Sequence, residues 1–154
     1  MEQKTIISAE KGRQEIVIAR KFDLPVELLF KAHTESGLVE QWMGTKVLKL
    51  ENKKHGGYQF ETMRDGKVVF RSNGVIHSVV PNQKIIRTFE MENALFGVQL
   101  EIYEFEKLPD SQSQLNIHII FETVSQRDQM LQLPFAQGIN MAHNRLYEIV
   151  NKLK

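Results

Sequence analysis

The sequence has no cysteine, which excludes a disulfide framework, a thiolate metal site and a cysteine nucleophile. That absence fits a reducing compartment. Net charge is also nearly absent: 20 Lys and Arg against 19 Asp and Glu leave +1. A dedicated nucleic-acid binder is usually strongly basic, so no nucleic-acid partner is expected. Long hydrophobic runs are missing too. The longest are a few residues, such as Ile16-Val17-Ile18-Ala19, whereas a membrane-spanning helix needs about 20. The opening Met1-Glu2-Gln3-Lys4 lacks the basic-then-apolar form of a secretory signal. These absences lead to a cytoplasmic protein with no membrane partner, read as a monomer or a weak homodimer.

The motifs of several chemistries are missing as well. There is no Gly-x-Gly-x-x-Gly, no Gly-Lys-Ser/Thr and no Gly-x-Ser-x-Gly, so neither a phosphate cradle nor a hydrolase elbow is indicated. The histidines are His33, His55, His77, His118 and His143, and none forms the His-x-x-x-His pair that sets two ligands on one helix face. His118 and Glu122 share a strand face, but four strand residues separate them by roughly 13 Å. No metal and no cofactor are expected, and with no catalytic motif the chain is not read as an enzyme.

What is present is hydrophobic periodicity. A chain of 154 residues fits one domain, and no repeat or low-complexity linker divides it. Residues 1–12 carry little pattern and read as an N-terminal arm or an extra edge strand, and 13–154 as a single domain. Ile16, Ile18 and Phe22 share one face of a strand. Asp23 or Leu24 then offers a helix cap before Pro25. Val26, Leu29 and Phe30 predict a short amphipathic helix to about Ala32, and Leu38, Val39 and Trp42 a second one ending near Gly44. Six strands follow, over 45–51, 57–64, 67–80, 83–92, 97–107 and 113–122, separated by turn residues such as Asp65-Gly66. Ser125 reads as the cap of a further helical region. In it, Phe135, Ile139, Ala142, Leu146, Ile149 and Leu153 form one stripe of a long helix, with Pro134 dividing off a short leading segment. The class is α+β, with a long C-terminal helix against an antiparallel sheet.

Some polar residues fall on candidate inward faces. Arg71 and His77 share parity with Val69, Val75 and Val79, while Arg87 alternates with Ile85, Phe89 and Met91. A charge on an apolar face is costly unless paired. Each is therefore either a polar point in a cavity, a side chain turned outward, or half of an ion pair with Glu90 or Glu104. Trp42 is either core or pocket wall. The basic stretch Lys46, Lys49, Lys53, Lys54 and His55 reads as a soluble strand edge, and Glu101, Glu104 and Glu106 as a solvated acidic set.

The order of several short motifs resembles a known family. Arg20-Lys21-Phe22-Asp23-Leu24-Pro25, Phe30-Lys31-Ala32-His33-Thr34 and Glu40-Gln41-Trp42 open the resemblance. It continues through Gly56-Gly57-Tyr58-Gln59-Phe60, Asp65-Gly66, Gly74-Val75-Ile76, Pro81 and Ile85-Ile86-Arg87-Thr88-Phe89, and ends with Arg127-Asp128 through Gly138. Together they resemble domains similar to the C-terminal domain of the activator of the heat-shock-protein-90 ATPase, in the SRPBCC superfamily of START and birch-pollen-allergen folds. The resemblance implies a helix-grip fold, a curved antiparallel sheet of about six to seven strands wrapped around the long helix with two short helices after the first strand. A cavity is implied between sheet and C-terminal helix, near the short helices. Trp42 falls at the cavity mouth, Tyr58 and Phe60 on the aromatic pair after the glycines, and Gly138 on a helix glycine that leaves room. The family often has Trp after that glycine, where this chain has Ile139.

The expected function is therefore a START-like module binding a small apolar or amphipathic ligand. Trp42, Met63, Met91, Met130 and Phe135 would be adaptable lining, with Tyr58, Phe60, Phe89 and Gly138 shaping the cavity. Arg71, His77 or Arg87 would give orienting polar contacts. A chaperone-interacting protein, with a role in stress response, is the alternative the resemblance implies. A cyclase- or hydrolase-like enzyme using His77 with Glu90 is the third reading.

Overall fold

The computed structural model describes residues 4–154, so the first three residues of the arm lie outside the described residues. The chain begins with β1 (Ile6–Ser8) and β2 (Glu15–Phe22), then α1 (Val26–Thr34) and α2 (Ser36–Met43). Six strands follow: β3 (Lys46–Leu50), β4 (Gly57–Arg64), β5 (Lys67–Val80), β6 (Lys84–Met91), β7 (Val98–Leu108) and β8 (Gln112–Ile120). The chain closes with α3 (Val124–Gln132) and α4 (Phe135–Asn151). Among the described residues no helix is long and apolar enough to cross a membrane.

The strands form one curved antiparallel sheet in the order β1-β2-β8-β7-β6-β5-β4-β3. Its eight strands exceed the expected six to seven because β1 adds to β2, pairing Ile7 with Ile18. After β2 the chain crosses to the far edge through α1 and α2. It then returns strand by strand until β8 pairs with β2 along its whole length, from Glu15–Ile120 to Phe22–Ser113. This one long crossover lays both short helices over the inner face.

Local chemistry explains most boundaries. Asp65 and Gly66 both adopt positive φ, 54° and 76°, the geometry of a two-residue hairpin turn whose twist matches its strands. Gly44 ends α2 in the left-handed region at φ 64°, its N–H donating to the Glu40 carbonyl. Two cap expectations are corrected. Pro25 itself precedes α1, without any side-chain cap from Asp23 or Leu24. Thr123, not Ser125, caps α3, its hydroxyl accepting the Gln126 N–H at 3.1 Å. Pro134 does separate α3 from α4.

The main core joins Ile16, Ile18 and Phe22 of β2, Leu115, Ile117 and Ile119 of β8, Val26 and Leu29 of α1, and Leu146 and Val150 of α4. Leu153, placed at the end of the helical stripe, is instead exposed beyond α4. A smaller cluster of Val39, Tyr58, Phe60 and Ile76 fills the other half of the inner face, and Val79 packs against both.

Candidate ligand-binding site

Between the two clusters lies a cavity of about 40 Å³, lined by His33, Val39, Trp42, Met43, Phe60, Arg87 and Tyr103. Its roof is α1 and α2, and its floor is the inner face of β4, β6 and β7. Trp42 is fixed by its indole N–H, which donates to the Ala32 carbonyl at 2.8 Å. Arg145 of α4 donates to the carbonyl of Trp42 at 3.1 Å, which ties the end of α2 down.

The floor carries a buried ion pair. Arg87 and Glu101 face each other in the β6–β7 register, with Nε 3.1 Å from Glu101 Oε1 and side chains 12% and 8% exposed. Arg87 Nη2 donates to the Tyr103 hydroxyl at 3.0 Å. The guanidinium lies over two rings, 4.6 Å from the centre of Tyr58 and 4.8 Å from that of Tyr103. Tyr58 donates its own hydroxyl to the Thr88 carbonyl. Burial opposes the charge on Arg87, but Tyr103, Tyr58 and Glu101 outweigh it and hold the guanidinium pKa above its usual value. Burial likewise pushes the Tyr103 phenol up to about 12.

His33 is the polar group of the roof. Its Nδ1 lies 2.9 Å from the Leu29 carbonyl. A carbonyl only accepts, so Nδ1 carries the proton and Nε2 of the neutral ring is a bare acceptor. That Nε2 is buried and has no hydrogen-bond partner. Trp42, Phe105 and Tyr103 surround the ring edge-on at 5.2, 5.3 and 5.8 Å.

Desolvation by burial, with Arg87 adding to it, lowers the His33 pKa from 6.5 to about 4. Burial, with His33 and Arg20 nearby, lowers that of His143 on α4 to about 3. Unfolded histidines take up protons near pH 6.5, but the folded ones only near 4 and 3. The unfolded state therefore binds more protons in this window, and stability falls as pH drops. The stabilising contribution is full above pH 6.5 and is lost progressively between there and about 3. Urea midpoints should be lower at pH 5 than at pH 7.5. The slope should be shallower in His33→Phe, and an unchanged slope would contradict this assignment.

The structure brings some predicted site residues together and separates others. Trp42, Phe60 and Arg87 line the cavity, and Tyr58 supports it from beneath Arg87. Phe89 packs beside the smaller cluster. Met130 and Phe135 belong to the main core, and neither lines this cavity, which α1 and α2 cover rather than α4. Gly138 is exposed, and a Cβ there would meet no neighbouring atom, so the missing side chain shapes no wall here.

Met63, Arg71 and His77 point away from the cavity. Arg71 pairs with Glu61 at 2.9 Å on the outer side, Met63 is half exposed, and exposed His77 meets the ring of His55 at 5.7 Å. The inward row of β5 is Ser72, Gly74 and Ile76, the opposite parity to the one expected. A register shift between Ile76 and Ser78 turns Val79 back toward the core. Glu90 lies opposite Asn73, four residues from His77, so the expected acid–base pair is not assembled. His33, Glu101 and Tyr103 also belong to the site, although none is among the residues expected there from the sequence. Glu101, which its sequence context assigns to a solvated acidic set, is buried against Arg87.

The family description "Activator of Hsp90 ATPase homolog 1-like protein" matches residues 23–151, from the end of β2 to the end of α4. The chain belongs to this family. Solved structures show the same fold. One from Rhodobacter sphaeroides superimposes with a TM-score of 0.86 at 17% identity, covering 97% of this chain and 99% of that one. One from Mycobacterium smegmatis gives 0.83 at 15%, with 94% of each chain covered. One from Staphylococcus epidermidis gives 0.79 at 19%, covering 96% and 95%. No curated protein sequence matches the chain. Family membership fits the order of elements derived above, a curved sheet with two short helices after the first long strand and a long helix at the end.

Proposed function

We propose that this START-like domain is a binding module for a small amphipathic molecule, with no catalytic turnover of its own. The observation that supports this is the cavity's composition: apolar walls from Val39, Trp42, Met43 and Phe60 over a polar floor of Arg87 and Tyr103. Pockets that hold a whole drug-sized ligand run to about 300–1,000 Å³. A space of about 40 Å³ takes only a head group, with the body lying past Met43, which is about one-third exposed at the rim. Methionine adapts to variable apolar shapes.

Native mass spectrometry of freshly purified protein, compared with its denatured mass, tests the reading. A discrete extra mass that leaves on denaturation supports it. Trp42 is the sole tryptophan and lines the cavity, so its emission should respond when the recovered molecule is added back. An empty protein whose Trp42 emission ignores a panel of amphiphiles would overturn it.

A second reading, contact with a chaperone, draws on the family description and on one surface feature. The β4–β5 hairpin exposes Met63, Val68, Val69 and Phe70 near its tip. Pull-down with the cognate chaperone, with and without nucleotide, separates the two. Capture that Phe70→Asp abolishes would favour the chaperone.

A further inference from the structure

We infer that the cavity is built for an uncharged hydroxyl head group, an alcohol whose O–H donates to His33 Nε2 while its oxygen accepts from Arg87. This rests on the ligand-binding reading above and narrows it to one chemical class.

The two sides of the cavity offer opposite hydrogen-bonding functions. On the roof, His33 Nε2 is a buried lone pair with no partner. A buried acceptor left without a donor is destabilising. On the floor, Arg87 commits Nε to Glu101 and Nη2 to Tyr103. Its Nη1 makes no hydrogen bond among the described residues, and Arg87 is one of the residues that line the cavity. One atom that both donates and accepts satisfies both sides, and among the head groups of an organic ligand a hydroxyl is the smallest that does so. The size of the space favours such a head over a larger amide.

Charge argues against the other head groups. The Arg87 charge is already balanced by Glu101 at 3.1 Å. A carboxylate would bring a second anion beside Glu101 and turn its lone pairs toward that of His33 Nε2. An ammonium would sit against Arg87. An ether accepts from Arg87 but leaves His33 unpaired.

The test uses three probes of similar reach: 1-hexanol, its isomer 1-methoxypentane, and hexanoate. Affinities are measured by NMR titration of the full chain, and the imidazole nitrogens of His33 are followed in the unmodified protein. Hexanol should bind about tenfold or more tightly than either competitor, and the His33 Nε2 resonance should move with hexanol but not with the ether. In His33→Phe the preference over the ether should vanish while binding of the ether persists. If that variant does not fold, the resonance of the unmodified protein decides alone.

Equal affinity for hexanol and ether, or tightest binding of hexanoate, overturns the hydroxyl assignment and leaves the binding module standing. No binding of any probe, together with no copurified mass, overturns both.

Discussion

Replacing Glu101 with alanine should lower stability by about 3–5 kcal/mol, the usual cost of removing one partner from a buried ion pair. The cost arises from what remains. Arg87 would keep its charge between the rings of Tyr58 and Tyr103 with only the Tyr103 hydroxyl to accept from it. Burying an uncompensated charge is expensive, whereas the intact pair is close to neutral against an apolar pair of similar volume. The double variant Arg87→Met with Glu101→Leu should therefore recover most of the loss. Urea unfolding of the single and double variants gives both numbers. A loss below about 1 kcal/mol for Glu101→Ala, the range of exposed pairs, would mean that Arg87 is solvated and that the floor of the cavity is not as described.

A single methyl group at position 74 should be nearly as damaging. A Cβ on Gly74 would run into the Thr88 carbonyl oxygen and come within 2.6 Å of both Cε1 and the hydroxyl oxygen of Tyr58. Thr88 belongs to β6, so relief requires both parting two paired strands and driving Tyr58 out of its place beneath Arg87. Gly74→Ala should cost about 3 kcal/mol, the upper end for overpacking, measured by chemical denaturation. Adding Tyr58→Phe should not rescue it, because the backbone oxygen remains in the way. A rescued double variant would show that only the phenol resists and that the strand pair yields easily.

The same glycine shows why the sequence hid part of the site. Hydrophobic alternation in β5 points to Val69 and Val75 as the inward set, but the inward row is Ser72, Gly74 and Ile76. A residue without a Cβ is needed at position 74 because Tyr58 leans across from β4, and Val69 and Val75 fall on the outer face while Ile76 stays inward. Parity taken from the valines therefore points the wrong way at Arg71 and His77. Glu101 was obscured in a similar way. Its neighbours Leu100 and Val98 are apolar but exposed, so β7 offers two plausible faces, and only pairing with Arg87 across β6 decides between them.

Elements with a single apolar face were far easier to read. The limits of β4 and β5 coincide with the expected 57–64 and 67–80, because Asp65-Gly66 fixes the turn between them. The break at Pro134 and the stripe of α4 from Phe135 through Ile149 followed from spacing alone, although the buried His143 within it did not. His33 also carries a signal in the helical spacing of α1. It lies four residues beyond Leu29, on the stripe that α1 turns inward, and a histidine there must spend one nitrogen on the preceding turn and present the other to whatever lies beyond.

The cavity lies between two separately packed clusters, so the residues that hold the fold and those that shape the space overlap only in part. The larger cluster, where β2, β8, α1 and α4 meet, holds the chain's architecture. The smaller one, built from Val39, Tyr58, Phe60 and Ile76, gives the cavity Val39 and Phe60, facing Trp42 from the larger one. Substitutions at Val39 and Phe60 alter the cavity wall while leaving the packing of the larger cluster in place. On the binding reading, the pocket can be reshaped without unfolding the chain, and solved structures that share fewer than one residue in five with it have the same backbone.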